Sequence, residues 1–257
     1  MNAATRYTCG PRQNQLLATL TDPEWVRWLP QLEQVDLSVG QVLCESGSAP
    51  FYVYFPTTAI VSLMYLTQDG ASVETAVVGN DGVVGISAVM GGNATPSQSV
   101  VQSAGQGYRL HVQTLKNEIN RGGMVLNLLL RYVQALMAQM SQTAVCNRFH
   151  SIDQQLSRRL LLGLDRLPSC ELVMTQELVA SLLGVRREGV TAAALKLQQA
   201  GVIRYSRGRI AVLDRQRLEQ RTCECYAVTK QEHDRLLPRP FQLPKPIPSH
   251  IPMPIAA

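Results

Sequence analysis

The segment from residue 174 to residue 212 constrains the fold of this chain most, and its sequence is MTQELVASLLGVRREGVTAAALKLQQAGVIRYSRGRIAV. Thr175 is suited to cap a helix whose apolar residues recur at helical spacing as far as Gly184, where a positive φ is expected. A second helix is predicted over residues 186–200. Arg207-Gly208 then suits the tight turn of a β-hairpin. The pattern predicts a helix, a turn, a second helix and a two-stranded wing.

Basic side chains are concentrated in this segment, because residues 186–212 hold six Lys or Arg and one acid, Glu188. In the major groove an Arg can hydrogen-bond guanine and a Glu can accept from cytosine. We therefore expect the second helix to read double-stranded DNA, while neighbouring groups hold phosphates. The alternative is a small helical core with a solvated, charged face. The predicted DNA contacts are Gln176, Arg186, Arg187, Glu188, Thr191, Ser206, Arg207 and Arg209.

The charge is uneven along the 257 residues, whose length suits two domains. The net charge is −1 over residues 1–150, +4 over 151–225 and +2 over 226–257. A focused basic region favours nucleic acid over a general affinity for membranes. No apolar run reaches the length of a membrane span, and the N-terminus has no apolar signal core. We expect a cytoplasmic protein with no membrane partner and with reduced cysteines.

Short β-like segments separated by glycines occupy residues 32–111 and predict a barrel or sandwich. The expected strands are Val35–Leu37, Val42–Cys44, Phe51–Phe55, Ile60–Leu66, Ser72–Val78, Ser99–Gln102 and Tyr108–Val112. A second helical region, residues 152–167, includes Arg158 and Arg159, for which we expect solvent or phosphate contacts.

Between these regions, apolar residues recur every seven positions over about three heptads. We expect a dimerisation helix, because a major-groove reader of this kind usually binds two half-sites as a pair. The alternative is one helix packed on its own barrel. The predicted dimer contacts are Leu126, Leu130, Val133, Leu136, Met137 and Met140.

Three stretches together resemble the Crp/Fnr family of bacterial transcription regulators: VDLSVGQVLCESGSAPFYVYF, GNDGVVGISAVMGG and TQELVASLLGVRREGVTAAALKLQQAGVI. The resemblance covers about residues 12–225. It implies a homodimer that binds a palindromic operator and acts with RNA polymerase. Arg187 and Glu188 fall where the family has its paired base-reading Arg and Glu. Gly189 stands where Thr or Ser is common, and Ala192 where a second base-reading Arg is frequent, so the implied half-site is related rather than identical.

The resemblance implies an α+β fold in four parts: an N-terminal β-roll (a cyclic-nucleotide-binding-like jelly roll), a long dimerisation helix, a C-terminal winged helix-turn-helix domain and a tail. Their expected bounds are 12–120, 121–149, 150–225 and 226–257. The tail is rich in proline, and we expect it to be disordered.

The sensor part departs from the cyclic-nucleotide-binding members of the family. Those members use a Glu for the ribose and an Arg for the phosphate, and the matching positions here are Ile86 and Gln98. Loss of a charge-assisted phosphate contact weakens binding strongly. We therefore expect no binding of cyclic AMP, and a sensor for an unknown small effector. The residues expected to line this degenerate pocket are Gly85, Ile86, Ser87, Gln98 and Ser99.

The cysteines and histidines show no spacing typical of a metal site, and we expect neither a metal ion nor an iron–sulfur cluster as cofactor. A thiol-based redox regulator remains an alternative, through Cys146 or through the pair Cys223 and Cys225. No nucleophile elbow, Walker loop or paired-carboxylate pattern is present. The chain is therefore not expected to be an enzyme.

Overall fold

A computed structural model describes residues 10–92, 94–167 and 169–237. Antiparallel strands dominate its N-terminal half, as expected from the alternating pattern. The strands are β1 (Glu33–Leu37), β2 (Val42–Cys44), β3 (Tyr52–Pro56), β4 (Ile60–Leu66), β5 (Ser72–Val78), β6 (Ser97–Ser103), β7 (Gly105–His111), β8 (Glu171–Val173), β9 (Ile203–Ser206) and β10 (Arg209–Val212). The helices are α1 (Gln15–Ala18), α2 (Asp22–Trp28), α3 (Val112–Arg121), α4 (Met124–Phe149), α5 (Ile152–Leu164), α6 (Gln176–Leu183), α7 (Arg187–Gln199), α8 (Arg215–Glu219) and α9 (Glu224–Leu236).

The first seven strands form a two-sheet roll, with strand orders β1-β7-β3 and β2-β6-β4-β5. Apolar residues on one face of these strands fill the interior of the roll, including Val53, Phe55 and Leu110. A tight turn joins β4 to β5 at Gly70, whose φ of 85° lies in the left-handed region that favours glycine. The α+β architecture expected from the sequence is confirmed: a β-roll, a long helix and a winged helix-turn-helix.

The winged helix-turn-helix part, from α5 onward, packs directly on the roll rather than standing apart from it. Ile60, Met64 and Val77 of the second sheet share one hydrophobic core with Leu156 and Leu160 of α5. The Oγ atoms of Ser72 and Ser181 lie 2.6 Å apart where β5 meets α6. The pose of the helix-turn-helix in this structure is therefore fixed by contacts with the β4–β5 hairpin.

Two expectations are corrected at this junction. Arg158 and Arg159 are buried, with 6% and 2% of their surface exposed, and so cannot meet phosphates in this arrangement. The tail predicted from residue 226 is wrong over 226–236, where α9 forms and packs against α4 and has buried residues Cys225, Tyr226, Thr229 and Leu236. Its remainder, residues 238–257, lies outside the described residues. Among the helices that the structure describes, none is long and apolar enough to cross a membrane.

Candidate nucleic-acid interface

The helix-turn-helix forms through the local signals that its sequence carries. The hydroxyl of Thr175 accepts a hydrogen bond from the backbone N–H of Leu178 at 3.2 Å, which caps α6. Gly184 then ends α6 in the left-handed region, at φ of 64°. After this turn, α7 packs through Val190, Ala193 and Leu197 into the shared core. The opposite side of α7 is left exposed.

The N-terminus of α7 is open to an anion. Arg186 is the N-cap residue, and its side chain makes no capping hydrogen bond. The first-turn N–H groups therefore keep the partial positive charge that attracts a phosphate. Arg187 and Glu188 are exposed on this first turn. Thr191, one turn further on, donates from its hydroxyl to Gln176 Oε1 at 2.9 Å, which joins the two helices on the exposed side.

The wing is a hairpin of β9 and β10 that also pairs with β8. Arg207 and Gly208 form its tip with φ of 47° and 75°, as a two-residue hairpin turn requires. The hydroxyl of Tyr205 donates to the carbonyl of Met174 at 2.9 Å and fixes the wing against the start of α6. Arg209 lies 3.6 Å from Glu171 of β8, which partly neutralises its charge.

A groove of about 400 Å³ runs between α7 and the wing. Five of the eight predicted DNA contacts line it: Gln176, Arg187, Thr191, Ser206 and Arg207. The other three, Arg186, Glu188 and Arg209, do not line the groove itself, although Arg186 and Glu188 flank Arg187 in the chain. The structure thus brings residues from α6, α7 and the wing to one surface.

Positive charge on this surface is available for a partner. Over the described part of the chain, Arg186, Arg187 and Arg207 have no acidic side chain within ion-pair distance. Lys196, further along α7, is different, because it pairs with Asp153 at 3.0 Å. Burial raises the pKa of Tyr205, and the nearby charge of Arg187 offsets part of that rise. A face with three unpaired guanidinium groups beside an open helix N-terminus is suited to a polyanion.

Gly189 explains one departure from the family pattern. A Cβ atom at this position would lie 2.6 Å from Cδ1 of Ile152 on α5. The glycine therefore lets α7 approach α5 closely, where a Thr or Ser would require Ile152 to move.

Two buried ion pairs connect the DNA-binding part to the roll. Arg159 Nε lies 2.6 Å from Glu74 Oε1, and Glu74 also accepts a short hydrogen bond from Ser62. Arg166 Nη2 lies 2.7 Å from Asp81 Oδ2. Burial acts to raise the pKa of Asp81, but the electrostatic interactions with Arg166 and His233 and the hydrogen bonds from Gly79 and Arg166 outweigh it and hold that pKa below its usual value. Both carboxylates belong to the roll, and both arginines follow Ser151, the N-cap residue of α5.

The predicted effector residues do not form a phosphate site in the described structure. Ile86 is 7% exposed and belongs to the core of the roll, after Gly85 at φ of 88°. Gln98 donates to Glu45 Oε2 at 2.7 Å, which places a negative charge where a phosphate would need a positive one. Ser99 is buried on β6, and Ser87 is half-buried.

The predicted dimer contacts differ in exposure. Leu130 and Met137 are 57% and 62% exposed on the outer face of α4. Leu126 and Val133 are half-buried beside them, whereas Leu136 and Met140 pack partly against the cores of the roll.

Four side chains that the sequence did not bring together are neighbours in the structure. The ligand atoms of Cys146, His150, Cys223 and Cys225 all lie within 4.8 Å of one another. A signal was available in the one-turn spacing of Cys146 and His150 on a predicted helix, but their partners lie more than 70 residues further along the chain.

Comparisons with known proteins agree with this geometry. Residues 154–221 match the Crp-like helix-turn-helix domain family. No curated protein sequence gives a significant match to the chain. Among solved structures, a putative transcriptional regulator of the Crp/Fnr family from Eubacterium rectale is 17% identical, with a TM-score of 0.64, and the match covers 81% of this chain and 98% of that one.

FixK2 from Bradyrhizobium japonicum is also similar, at 17% identity and a TM-score of 0.62 over 75% of this chain and 98% of its own. The global regulator CLP from Xanthomonas campestris is 14% identical, with a TM-score of 0.58 over 74% of this chain and 99% of its own. Residues 154–221 are therefore a Crp-like helix-turn-helix domain, and the part of the chain that the structure describes has the fold of the Crp/Fnr transcriptional regulators.

Proposed function

We propose that this protein is a sequence-specific transcription regulator that binds a palindromic DNA operator as a homodimer and acts with RNA polymerase in the cytoplasm. The observation that carries the proposal is the exposed first turn of α7, where Arg186, Arg187 and Glu188 stand beside the groove with no internal partner for either arginine among the described residues. Basic groups gathered beside a helix N-terminus create a positive potential that attracts a polyanion.

The base contacts are assigned to Arg187 and Glu188. Both leave the N-terminal turn of the helix that a helix-turn-helix protein inserts into the major groove. Arg186, Thr191, Gln176 and Arg207 are assigned to phosphates or to support of the base-reading pair. Ser206 and Arg209 extend the same surface along the wing. Arg209 contributes least, because Glu171 already offsets its charge.

The dimer contact is assigned to the outer face of α4. Leu130 and Met137 are seven residues apart and exposed on one face of α4, and apolar side chains grouped on one helix face mark a candidate protein interface. Two copies packed along this face would place two α7 helices on one side of the DNA. Leu126 and Val133 border the same face, and Leu136 and Met140 support it from the roll side.

A dimer test uses sedimentation of the full chain. Met137→Glu places a charge in the centre of the proposed contact and is expected to give a monomer that retains its fold. Gln142→Glu, on the same helix but away from Leu130 and Met137, is the control and should remain dimeric. A wild-type chain that sediments as a monomer at micromolar concentration would contradict the assignment.

The sensor is assigned to a ligand other than a cyclic mononucleotide. Glu45 beside Gln98 and the buried Ile86 remove both charged contacts that a cyclic phosphate and its ribose would need. Calorimetry with cyclic AMP and cyclic GMP should show no binding. Cyclic di-GMP belongs in the same series, because the Xanthomonas regulator of the same fold is described as responsive to it. Binding of cyclic AMP with micromolar affinity would overturn this assignment.

The experiment for DNA recognition is selection of bound duplexes from a random pool. The proposal predicts an enriched palindrome whose half-sites are centred about one helical turn, ~34 Å, apart. A basic protein that binds DNA only through phosphates would enrich no sequence. The selected duplex then serves as the substrate for every binding measurement described below.

A further inference from the structure

The end of α4 and the start of α9 meet in a small cluster of sulfur and nitrogen atoms. Cys146 and His150 lie one turn apart at the end of α4, and Cys223 and Cys225 flank Glu224 at the start of α9. The Sγ atoms of Cys146 and Cys223 are 3.5 Å apart. Cys225 Sγ lies 3.6 Å from His150 Nδ1. The three thiols are buried, and His150 is partly buried.

These separations match the edges of a metal-centred tetrahedron. Zinc bonds of ~2.3 Å to sulfur and ~2.0 Å to nitrogen give sulfur–sulfur edges of ~3.8 Å and sulfur–nitrogen edges of ~3.5 Å. A single disulfide would engage only two of the three sulfurs. It would leave the third thiol and the imidazole facing it without a role, whereas one cation engages all four groups.

His150 is oriented as a metal ligand would be. Its Nδ1 faces Cys225, while its Nε2 lies 3.2 Å from Glu224 Oε1. An Nε2–H that donates to this carboxylate leaves the lone pair of Nδ1 free to bind a cation. Metal-bound histidines commonly have such a carboxylate partner, which fixes the tautomer and the ring orientation. The contact between Nε2 and Glu224 therefore orients the ring so that Nδ1 faces the three sulfur atoms.

Arg158 provides the matching charge. It is buried, its Nη2 donates to Thr143 at 2.9 Å, and its Nε has no hydrogen-bond partner. Within the described ranges no carboxylate lies within ion-pair distance of it. Burial lowers the pKa of Arg158, while the three neighbouring cysteines act in the opposite direction. Three thiolates around one divalent ion carry a net charge of minus one, which this guanidinium would neutralise.

The three thiols are buried side by side, so a cation that enters the cluster displaces their protons and holds the sulfurs as thiolates.

We propose that Cys146, His150, Cys223 and Cys225 bind one Zn²⁺ ion in a tetrahedral Cys₃His site. Glu224 orients the imidazole, and Arg158 balances the charge. The site carries no open position for a substrate, so its role is structural. The ion joins the C-terminal end of α4, next to the N-cap residue Ser151 of α5, to α9. His233 of α9 lies 3.5 Å from Asp81 of the roll. By fixing α9 against α4, the ion would also help to hold the helix-turn-helix part against the roll.

The test begins with the full chain purified anaerobically without chelators. Metal analysis is expected to give about one zinc ion per chain. Replacement of zinc by Co²⁺ should produce the visible absorption of a tetrahedral cobalt–thiolate site. Cys223→Ser and His150→Ala should lose that spectrum. Cys170→Ser, which removes an exposed cysteine outside the cluster, is the matched control and should keep it.

The outer residues provide variants that do not remove a ligand. Glu224→Gln, at an exposed position, should weaken zinc binding about 10- to 100-fold in competition with a chromophoric chelator. A wild-type chain that binds neither zinc nor cobalt, or a Cys223→Ser chain that retains the cobalt spectrum, would overturn the proposal. A Cys146–Cys223 disulfide in the zinc-free anaerobic protein would also overturn it. These outcomes are independent of DNA binding.

Discussion

The inner and outer faces of the DNA-binding part both carry arginines, but the arginines of the two faces have different surroundings. On the inner face, Arg159 and Arg166 are buried and paired with Glu74 and Asp81 of the roll. On the outer face, Arg187 and Arg207 are exposed, and neither has an acidic partner in the described structure. The carboxylates that the roll supplies therefore decide which arginines fix the domain and which remain available to DNA.

The largest expected effect lies on the inner face. Glu74→Gln leaves the buried guanidinium of Arg159 without a counter-charge and should lower the free energy of unfolding by about 3–5 kcal/mol. The double variant Glu74→Leu with Arg159→Met removes both charges and should recover most of that loss. Urea unfolding of the full chain measures both.

The control is an exposed pair, Arg235 with Glu232 on α9, since screening by water makes such pairs weak. Arg235→Ala should change stability far less than Glu74→Gln. If the two substitutions lowered the free energy of unfolding equally, the Glu74–Arg159 pair would not be a specific stabilising contact between the roll and α5.

Acid should weaken the inner face before it affects the outer one. The pKa of Asp81 is lower in the folded chain than in the unfolded chain, where it is ~3.9. Its pairing with Arg166 therefore stabilises the fold at any pH above that unfolded-state pKa. That contribution is lost as the pH falls through the folded value. Asp81→Asn should therefore show a smaller loss of unfolding free energy between pH 5 and pH 3 than wild type, in urea titrations. Parallel pH profiles would contradict this prediction.

The smallest effect concerns the wing tip. Arg207→Asn keeps a residue that tolerates the left-handed region and should stabilise the fold by about 1 kcal/mol. It also removes a charge, so the slope of log K against log salt for DNA should fall by about one. Arg207→Lys, which keeps the charge, is the control for the salt slope. An unchanged slope for Arg207→Asn would exclude the wing from the interface.

Local signals made the outer face predictable from the sequence. The cap at Thr175, the stop at Gly184 and the turn at Arg207-Gly208 each depend on neighbours within a few residues, and the structure confirms all three. The strands β2, β4 and β5 likewise have the expected bounds, because β-branched runs between glycines mark them. The eight DNA contacts remain predictions, although five of them line one groove.

The inner face was not predictable, because its contacts span long stretches of chain. Arg159 meets Glu74 across 85 residues, and Cys146 meets Cys223 across 77. A basic pair on a helix looks solvated until its distant partner is known. In the same way, α9 was assigned to a proline-rich tail, since its packing surface is α4 rather than a neighbour in sequence.

Arg187 is the residue on which sequence-specific recognition of DNA is expected to depend most. The direct test measures the affinity of wild type and Arg187→Ala for the selected duplex and for every single-base variant of one half-site, with Arg217→Ala on α8 as the control for loss of charge. We expect Arg187→Ala to cost about 1–3 kcal/mol and to relax discrimination at one base pair. Uniform weakening across all the duplexes, with discrimination unchanged, would show that Arg187 contacts only phosphate and would contradict the account.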